Sequence, residues 1–478
     1  MRNMVYGGYS YIDYEYEPKK DDFRVLMWVD GKYPIEKLAE GVAAESSVGT
    51  WTKISTMNER VFREYRARVY EIVKVQPNAG FIYISYPFDH FDTKNITQFM
   101  ASVLGNLFGL KELTSLYVLD ISFPERYQKI FDGPVFGLKG IRKYMGTDKT
   151  RRPHIGTIVK PKVGLTPKEF SEVAYKAWVN GLDLVKDDEN LVDQSFCPWK
   201  ERFDRTIEKL HRAEDKTGER KLYASNVTDS DLDRMMARMD YIAENGGKLV
   251  MLDVFVLGIP AAYAMINYAH ELGLFVHAHR AGYSAHHRGN FGVNFQIYEK
   301  FYRLLGVDQL HIGTGVGKME GSPIIIKRFH DIAVKNRGEE KFYIGSLDFV
   351  FARHIKPFFP VASGGVDPGR VDALLALHGR DVIIQAGGGV HGHPRGTAAG
   401  ARAMRAAVEA AVSGSDTPTA AKKDKDLALA IKKFGYLEPS SIKKILDFEK
   451  KNKEFMEHLV KTEGIHGYRS ITEDYDYW

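Results

Sequence analysis

Chemistry concentrates first in the decapeptide "GLDLVKDDEN", Gly181 to Asn190, where Lys186 meets three acids directly after a short apolar run. Asp188 and Glu189 offer hard carboxylate oxygens, the donors that suit Mg²⁺. Lys186 does not fit beside them: a protonated lysine has three N–H donors and no lone pair, so it cannot ligate a metal as it stands. The decapeptide alone leaves two readings open, a metal site with an unexplained lysine or a lysine–aspartate ion pair that stabilises the strand.

Other reactive side chains end apolar runs in the same way. Lys160 and Lys162 close "HIGTIVKPK", His277, His279 and Arg280 close "LFVHAHR", and His311 lies in "QLHIGTG". His277 and His279 share one face of an extended strand, as a zinc or iron pair would, yet no third ligand adjoins them. General acid/base work or substrate hydrogen bonding is equally open for them. Ser363-Gly364-Gly365 and Gly387-Gly388-Gly389 end two further runs. Glycine lets backbone N–H groups approach phosphate oxygens closely; one such loop is explained by a tight turn, and two in succession favour phosphate. Arg280 and His311 suit a second anionic group, which implies a substrate phosphorylated at both ends. Lys318, in "GTGVGKMEG", sits where flanking glycines let a loop close.

These groups need a frame that brings strand ends together. Eight β-rich runs, "HIGTIVKPK", "LDLVKDDE", "LYASNVT", "KLVMLDVF", "LFVHAHR", "QLHIGTG", "FFPVASGG" and "VIIQAGGG", alternate with amphipathic helical segments between about 136 and 414. An open doubly wound sheet also alternates in this way, but eight strand–helix units favour a (β/α)₈ barrel, whose reactive groups gather at the C-terminal strand ends. Lys186 and Asp188 then point into the barrel, with Glu189 at the strand end. Thr166, Pro167 and Glu169 form the start signal of the first connecting helix, and Gly181 suits the turn that follows it. Residues 1–135 mix strand-like runs ("DFRVLMWVDG", "GFIYISYPF", "LTSLYVLDISFP") with helical segments ("PIEKLAEGVAAESS", "ITQFMASVLGNLFGL") and read as an α+β, ferredoxin-like domain. From 415 a linker-like stretch, "SGSDTPTAAKKDKD", leads into an amphipathic helical extension to 478.

Composition narrows the partners. The net charge of +5 is small for 478 residues and the lysines are dispersed, which argues against nucleic acid and for a small ligand. No apolar run reaches the length of a membrane span and the N-terminus lacks a signal-peptide pattern, so a cytoplasmic protein is expected. Cys197 is the only cysteine, which excludes an internal disulfide and reads as a packed side chain.

The ordered set "ESSVGTWT", "GNLFGL", "KPKVGL", "GLDLVKDDEN", "HAHRAG", "HIGTGVGKMEG", "VASGG" and "QAGGGVHGHP" resembles the large subunit of ribulose-1,5-bisphosphate carboxylase/oxygenase (RuBisCO) from about Tyr11 to Ala411. "LHIGTGVGKMEG" and "IIQAGGGVHGHP" are most similar to the archaeal form III group, which generally works without a small subunit. The resemblance implies that Lys186 reacts with an activating CO₂ to form a carbamate, which with Asp188 and Glu189 holds Mg²⁺ and removes the C3 proton of ribulose 1,5-bisphosphate. It implies that Lys160 protonates the C2 carbanion, that Lys162 holds the surrounding charge network and that His279 assists hydration and cleavage. Lys318 would hold the CO₂-derived carboxylate. Arg280 and His311 would bind one phosphate, and Thr50, Trp51, Gly365, Gly387 and Gly388 the other, with Gly364 and Gln385 among the binding residues and Ser363 on a substrate hydroxyl. Glu45 and Asn106 would complete the site of a neighbouring subunit, so at least a homodimer is implied.

The implied reaction is carboxylation to two 3-phosphoglycerates with competing oxygenation by O₂, fed by nucleotide (AMP) salvage or a related carbon-fixation route. A RuBisCO-like protein that only enolises or isomerises another phosphosugar is the alternative, and it predicts losses among Glu45, Asn106, Lys160 and Lys318, all of which persist. A silent sugar-phosphate-binding barrel predicts losses among Lys186, Asp188 and Glu189, and none is lost. Two departures stand out: Tyr283 where many relatives have histidine, and Ile158 where plant-type enzymes have threonine.

Overall fold

Apolar residues on both faces of a strand demand cover on both sides, and the first strand, β1 (Phe23–Gly31), is buried along nearly all its length. The structure, a computed structural model, describes residues 7–318, 321–338, 346–451, 458 and 462. In it β1 pairs antiparallel with β3 (Ala79–Tyr86) and β4 (Leu113–Ser122), and β2 (Arg68–Gln76) adds to the outer edge of β3. β2 is absent from the strands expected above because "RVYEIVKVQ" is an edge strand with charged, half-exposed positions. The segment expected as one helix, 96–110, divides into a helix over Ile96–Val103 and a 3₁₀ turn over Asn106–Gly109. Gly105 makes the break, since a Cβ there would stand 2.1 Å from the Ala101 carbonyl oxygen. The break puts Asn106 at the surface.

All eight runs become strands of one closed parallel barrel: β5 (His154–Ile158), β6 (Leu184–Lys186), β7 (Leu222–Asn226), β8 (Leu249–Asp253), β9 (Phe275–His279), β11 (Gln309–His311), β14 (Phe359–Ser363) and β15 (Ile383–Gln385). Of the remaining strands, β10 (Phe291–Val293) extends the N-terminal sheet parallel to β4, and β12 (Arg337–Gly338) pairs with β13 (Phe349–Val350). The barrel fills from below with Leu184, Leu222, Leu249, Met251, Phe275, Phe359, Val361 and Ile383, one buried cluster. Two residues further along the same strand faces stand Lys186, Asp253, His277, Ser363 and Gln385, with His279 two residues beyond His277. Period-two geometry therefore sorts each strand into an apolar lower part and a polar mouth.

The helix Pro167–Trp178 begins with the expected capping box of Thr166 and Glu169, and Gly181 turns the chain at φ +108. The polar stretch after 415 is helical rather than linker-like. Asp416 and Asp424 cap the helices Thr417–Ala421 and Lys425–Phe434, and Thr417 donates through both its N–H and its hydroxyl to buried Asp372. A further helix runs over Pro439–Lys451; most of the amphipathic segment beyond it lies outside the described residues. Among the described residues no helix is long and apolar enough to cross a membrane.

Candidate active site

β6 presents its last residue, Lys186, to the barrel interior with no exposed surface. Its Nζ donates to the Asp187 carbonyl at 2.8 Å and lies 3.9 Å from Glu189. Burial lowers the pKa of this amine, which favours the neutral form. Asp188 pairs with another lysine: Lys160 Nζ, from the end of β5, donates to Asp188 at 2.6 Å, while Asn190 satisfies the second oxygen at 2.8 Å. The Lys186–Asp188 ion pair left open by the sequence is not formed; Asp188 pairs with Lys160 instead. Asp187 serves the frame instead, accepting from Arg202, Tyr223 and the Asn226 amide behind the strand.

His279, at the end of β9, accepts the Ala281 amide at Nδ1, with Asp253 of β8 at 3.2 Å from the same nitrogen. A neutral His279 therefore carries its proton on Nε2, 3.6 Å from Glu189. Asp253 escaped notice in the sequence; its signal was its position two residues beyond Met251 on the inward face of the fourth run. The His279 ring lies 4.6 Å from that of His311, whose Nδ1 meets Ser363 Oγ at 2.6 Å.

Gly387 reaches the same cluster, since a Cβ on it would stand 3.3 Å from Lys160 Cε. Gly388 opens a short helical turn on the next residue. Gln385 is buried with both amide atoms lacking a partner among the described residues. Lys318 is exposed, but its N–H donates to the Gly364 carbonyl at 3.1 Å, so the loop after β11 rests on the glycines after β14. A Cβ on Gly365, at φ +81, would stand 2.7 Å from the Lys318 nitrogen. Arg280 lies over the Phe295 ring at 4.5 Å and the Tyr283 ring at 5.6 Å. Lys162 is exposed in the loop after β5.

Glu45, Thr50, Trp51 and Asn106 stand apart from this mouth. They lie on the N-terminal unit, at the end of the helix Ile35–Glu45, in the loop after it and on the 3₁₀ turn. Trp51 is 77% exposed, and none of the four side chains has a hydrogen bond or ion pair among the described residues.

Also among the described residues, no three His, Cys, Asp or Glu side chains converge as a metal site. At the mouth Asp188 and Glu189 offer two carboxylates next to a buried amine, Lys186, with lowered pKa. That donor set fits a divalent cation once the amine gains an anionic oxygen, and it does not fit one before.

Residues 137–434 match the model of the ribulose bisphosphate carboxylase large chain, catalytic domain, and residues 10–127 match that of its N-terminal domain. The chain belongs to the RuBisCO large-chain family. It is 43% identical over 431 residues to the ribulose bisphosphate carboxylase of Methanocaldococcus jannaschii, covering 88% of this chain and 99% of the relative. The Pyrococcus furiosus enzyme is 40% identical, covering 90% of this chain and 98% of the relative. The dimeric archaeal RuBisCO structure from Hyperthermus butylicus superposes with a TM-score of 0.82 at 36% identity, over 89% of this chain and 99% of that one. The octameric RuBisCO from Pyrococcus horikoshii does so with 0.81 at 38%, over 89% and 96%. Within this RuBisCO frame the departure at Tyr283 is a buried ring, stacked on His287 at 5.0 Å and donating to the Val293 carbonyl.

Proposed function

We propose that the chain adds CO₂ and water to D-ribulose 1,5-bisphosphate, giving two molecules of 3-phosphoglycerate, with O₂ competing for the same carbon. Lys186 carries the reading. Desolvation of the fully buried Lys186 outweighs the pull of Glu189, Asp253, Asp188 and Asp187 and holds its pKa down, and a neutral amine at that place is a nucleophile toward CO₂. The amine lone pair forms an N–C bond to CO₂ and the nitrogen loses a proton, leaving a carbamate anion. Carbamylated Lys186, Asp188 and Glu189 would hold Mg²⁺, which when bound supplies positive charge to oxygens of the substrate that become negative.

The remaining steps fall to side chains at the mouth. The Lys186 carbamate removes the C3 proton of the sugar. His279, with its Nε2 proton toward Glu189 and Asp253 ready to support a second proton at Nδ1, moves protons during hydration and cleavage. Lys160, held by Asp188, keeps a proton for the C2 carbanion of the departing product. Lys318 neutralises the new carboxylate, Arg280 and His311 bind one phosphate, and the backbone of Gly365, Gly387 and Gly388 binds the other. Lys162 maintains the charge balance near Lys160, Ser363 meets a sugar hydroxyl, and Gly364 and Gln385 complete the lining. Glu45, Thr50, Trp51 and Asn106, unpartnered among the described residues, suit the mouth of a second copy, which supports a homodimer. The dimeric and octameric states of the archaeal RuBisCO structures favour the same view.

Incubation of the purified protein with ribulose 1,5-bisphosphate, Mg²⁺ and ¹⁴C-bicarbonate without O₂ is expected to put acid-stable label into 3-phosphoglycerate. Saturable binding of the bisphosphate with no label would reject the reading in favour of enolisation alone.

A further inference from the structure

Gln309, His277, His311 and Ser363 form a hydrogen-bonded row across β9, β11 and β14, all on inward-facing positions. Gln309 Oε1 meets His277 Nδ1 at 2.6 Å, His277 Nε2 meets His311 Nε2 at 2.9 Å, and His311 Nδ1 meets Ser363 Oγ at 2.6 Å. Only His311 and Ser363 have a part in the reaction proposed above. Gln309 and His277 have no exposed surface.

The bonds in this row are not independent. Burial favours neutral imidazole, which has one N–H and one bare nitrogen. Where the Gln309 carbonyl oxygen accepts, the His277 proton sits on Nδ1 and its Nε2 is bare. His311 must then donate from Nε2, its Nδ1 is bare, and the Ser363 hydroxyl donates inward to it. The Ser363 oxygen is left with lone pairs toward the mouth. An amide turned the other way reverses every bond and makes Ser363 a donor outward. Gln309 Nε2 has no partner among the described residues, so the bond to His277 is the amide's one polar anchor there.

We propose that Gln309 sets the direction of this row through His277, so that Ser363 meets the substrate as a hydrogen-bond acceptor. An acceptor at that place receives a sugar hydroxyl and rejects a carbonyl oxygen, which has no proton to give. The two ends of a bisphosphate are alike in charge, so phosphate contacts alone do not distinguish them. A hydroxyl-selective contact between them does, and Gln309 and His277 become positioning residues that orient the sugar in the barrel. The identity of the sugar rests on the carboxylase reading; the direction of the row does not.

Neutron diffraction from D₂O-exchanged crystals of the full chain reads the direction without reference to activity. Deuterium is expected on His277 Nδ1 and His311 Nε2, and deuterium on His277 Nε2 with His311 Nδ1 would overturn the proposal. Gln309→Met removes the acceptor at similar length. It is expected to raise KM for ribulose 1,5-bisphosphate about tenfold, with a smaller change in kcat, as loss of one neutral hydrogen bond implies. An unchanged KM, or a fall confined to kcat, counts against it. If the wild type forms no labelled phosphoglycerate, the carboxylase reading fails while the deuterium positions still decide the direction of the row. They decide it equally if the methionine variant fails to fold.

Discussion

The two ends of the barrel treat buried charge in opposite ways. At the N-terminal end an aspartate stands just before a strand and is fully supplied with donors. Asp183, before β6, accepts both guanidinium nitrogens of Arg152 at 2.7 Å and the Ile155 amide at 2.9 Å. Asp308, before β11, accepts the Val276, Phe136 and Gly137 amides, and Asp381, before β15, binds Arg142 and Arg151. Three of the four cations that line the cavity of about 600 Å³ at this end are paired, Arg152 with Asp183, Arg405 with Glu219 and Arg220 with Glu214. At the C-terminal end, Lys186 has a carbonyl for a partner, and among the described residues neither Asp253 Oδ1 nor the Gln385 amide has a hydrogen bond. Stability resides where polar groups are satisfied within the chain, and the chemistry proposed above where they are not.

The sharpest way to break this comparison is to remove one charge from each end. Lys186→Met is expected to lower carboxylation at least about a thousandfold, because it removes the proposed base together with a metal ligand. The same variant should raise the denaturation midpoint, since an apolar side chain avoids the burial penalty that lowers the lysine pKa. A lower midpoint would show that Lys186 contributes to the frame. Asp183→Asn should do the reverse. Leaving Arg152 without its buried partner is expected to cost about 3–5 kcal/mol of stability, read from denaturant unfolding, with kcat of the folded fraction unchanged. Loss of kcat there would reject the division between the ends.

Much of this division was legible in one strand. Period two alone set Lys186 and Asp188 toward the interior, and the order of the eight runs announced the barrel. Pairings across the fold were not legible. Asp187 looks like its neighbours until Arg202, on a later helix, identifies it as structural, and Asp188 turned to Lys160 rather than to Lys186. Asp253 gained meaning only when β8 and β9 set it against His279. The polar run after 415 resembled a linker because helix caps and linkers use the same residues, and only the bonds from Thr417 to Asp372 tell them apart.

Acid offers a weaker perturbation that acts on both ends. Burial holds His154, at the start of β5, and His277, inside the mouth, down to about 3. Unfolded histidine titrates near 6.5, so between that pH and about 3 the unfolded chain binds protons that the folded chain refuses, and stability falls as the pH falls. Each such histidine is expected to cost about 1.4 kcal/mol per pH unit below 6.5, or about 2 kcal/mol at pH 5. His154→Gln should flatten the fall in denaturant midpoint between pH 7 and 5 while leaving activity at pH 7 intact. His277→Gln should flatten it equally and raise KM. Identical activity in the two variants would erase the contrast.

The smallest effect tests the boundary of the rule, because the C-terminal end also contains a purely structural device. Thr166 lies in the loop after β5, on the same side of the barrel as Lys160. Its hydroxyl accepts the Glu169 amide at 3.3 Å, and Glu169 accepts in return from the Thr166 amide and hydroxyl. These bonds satisfy donors that the first turn of the helix Pro167–Trp178 leaves open, and none points to the mouth. Thr166→Ala is therefore expected to cost about 1 kcal/mol in unfolding free energy with no change in KM or kcat. A rise in KM would mean that the cap fixes the Lys160–Lys162 segment as well as the helix. What matters at the mouth would then be the posture of its loops, beyond the charges that line it.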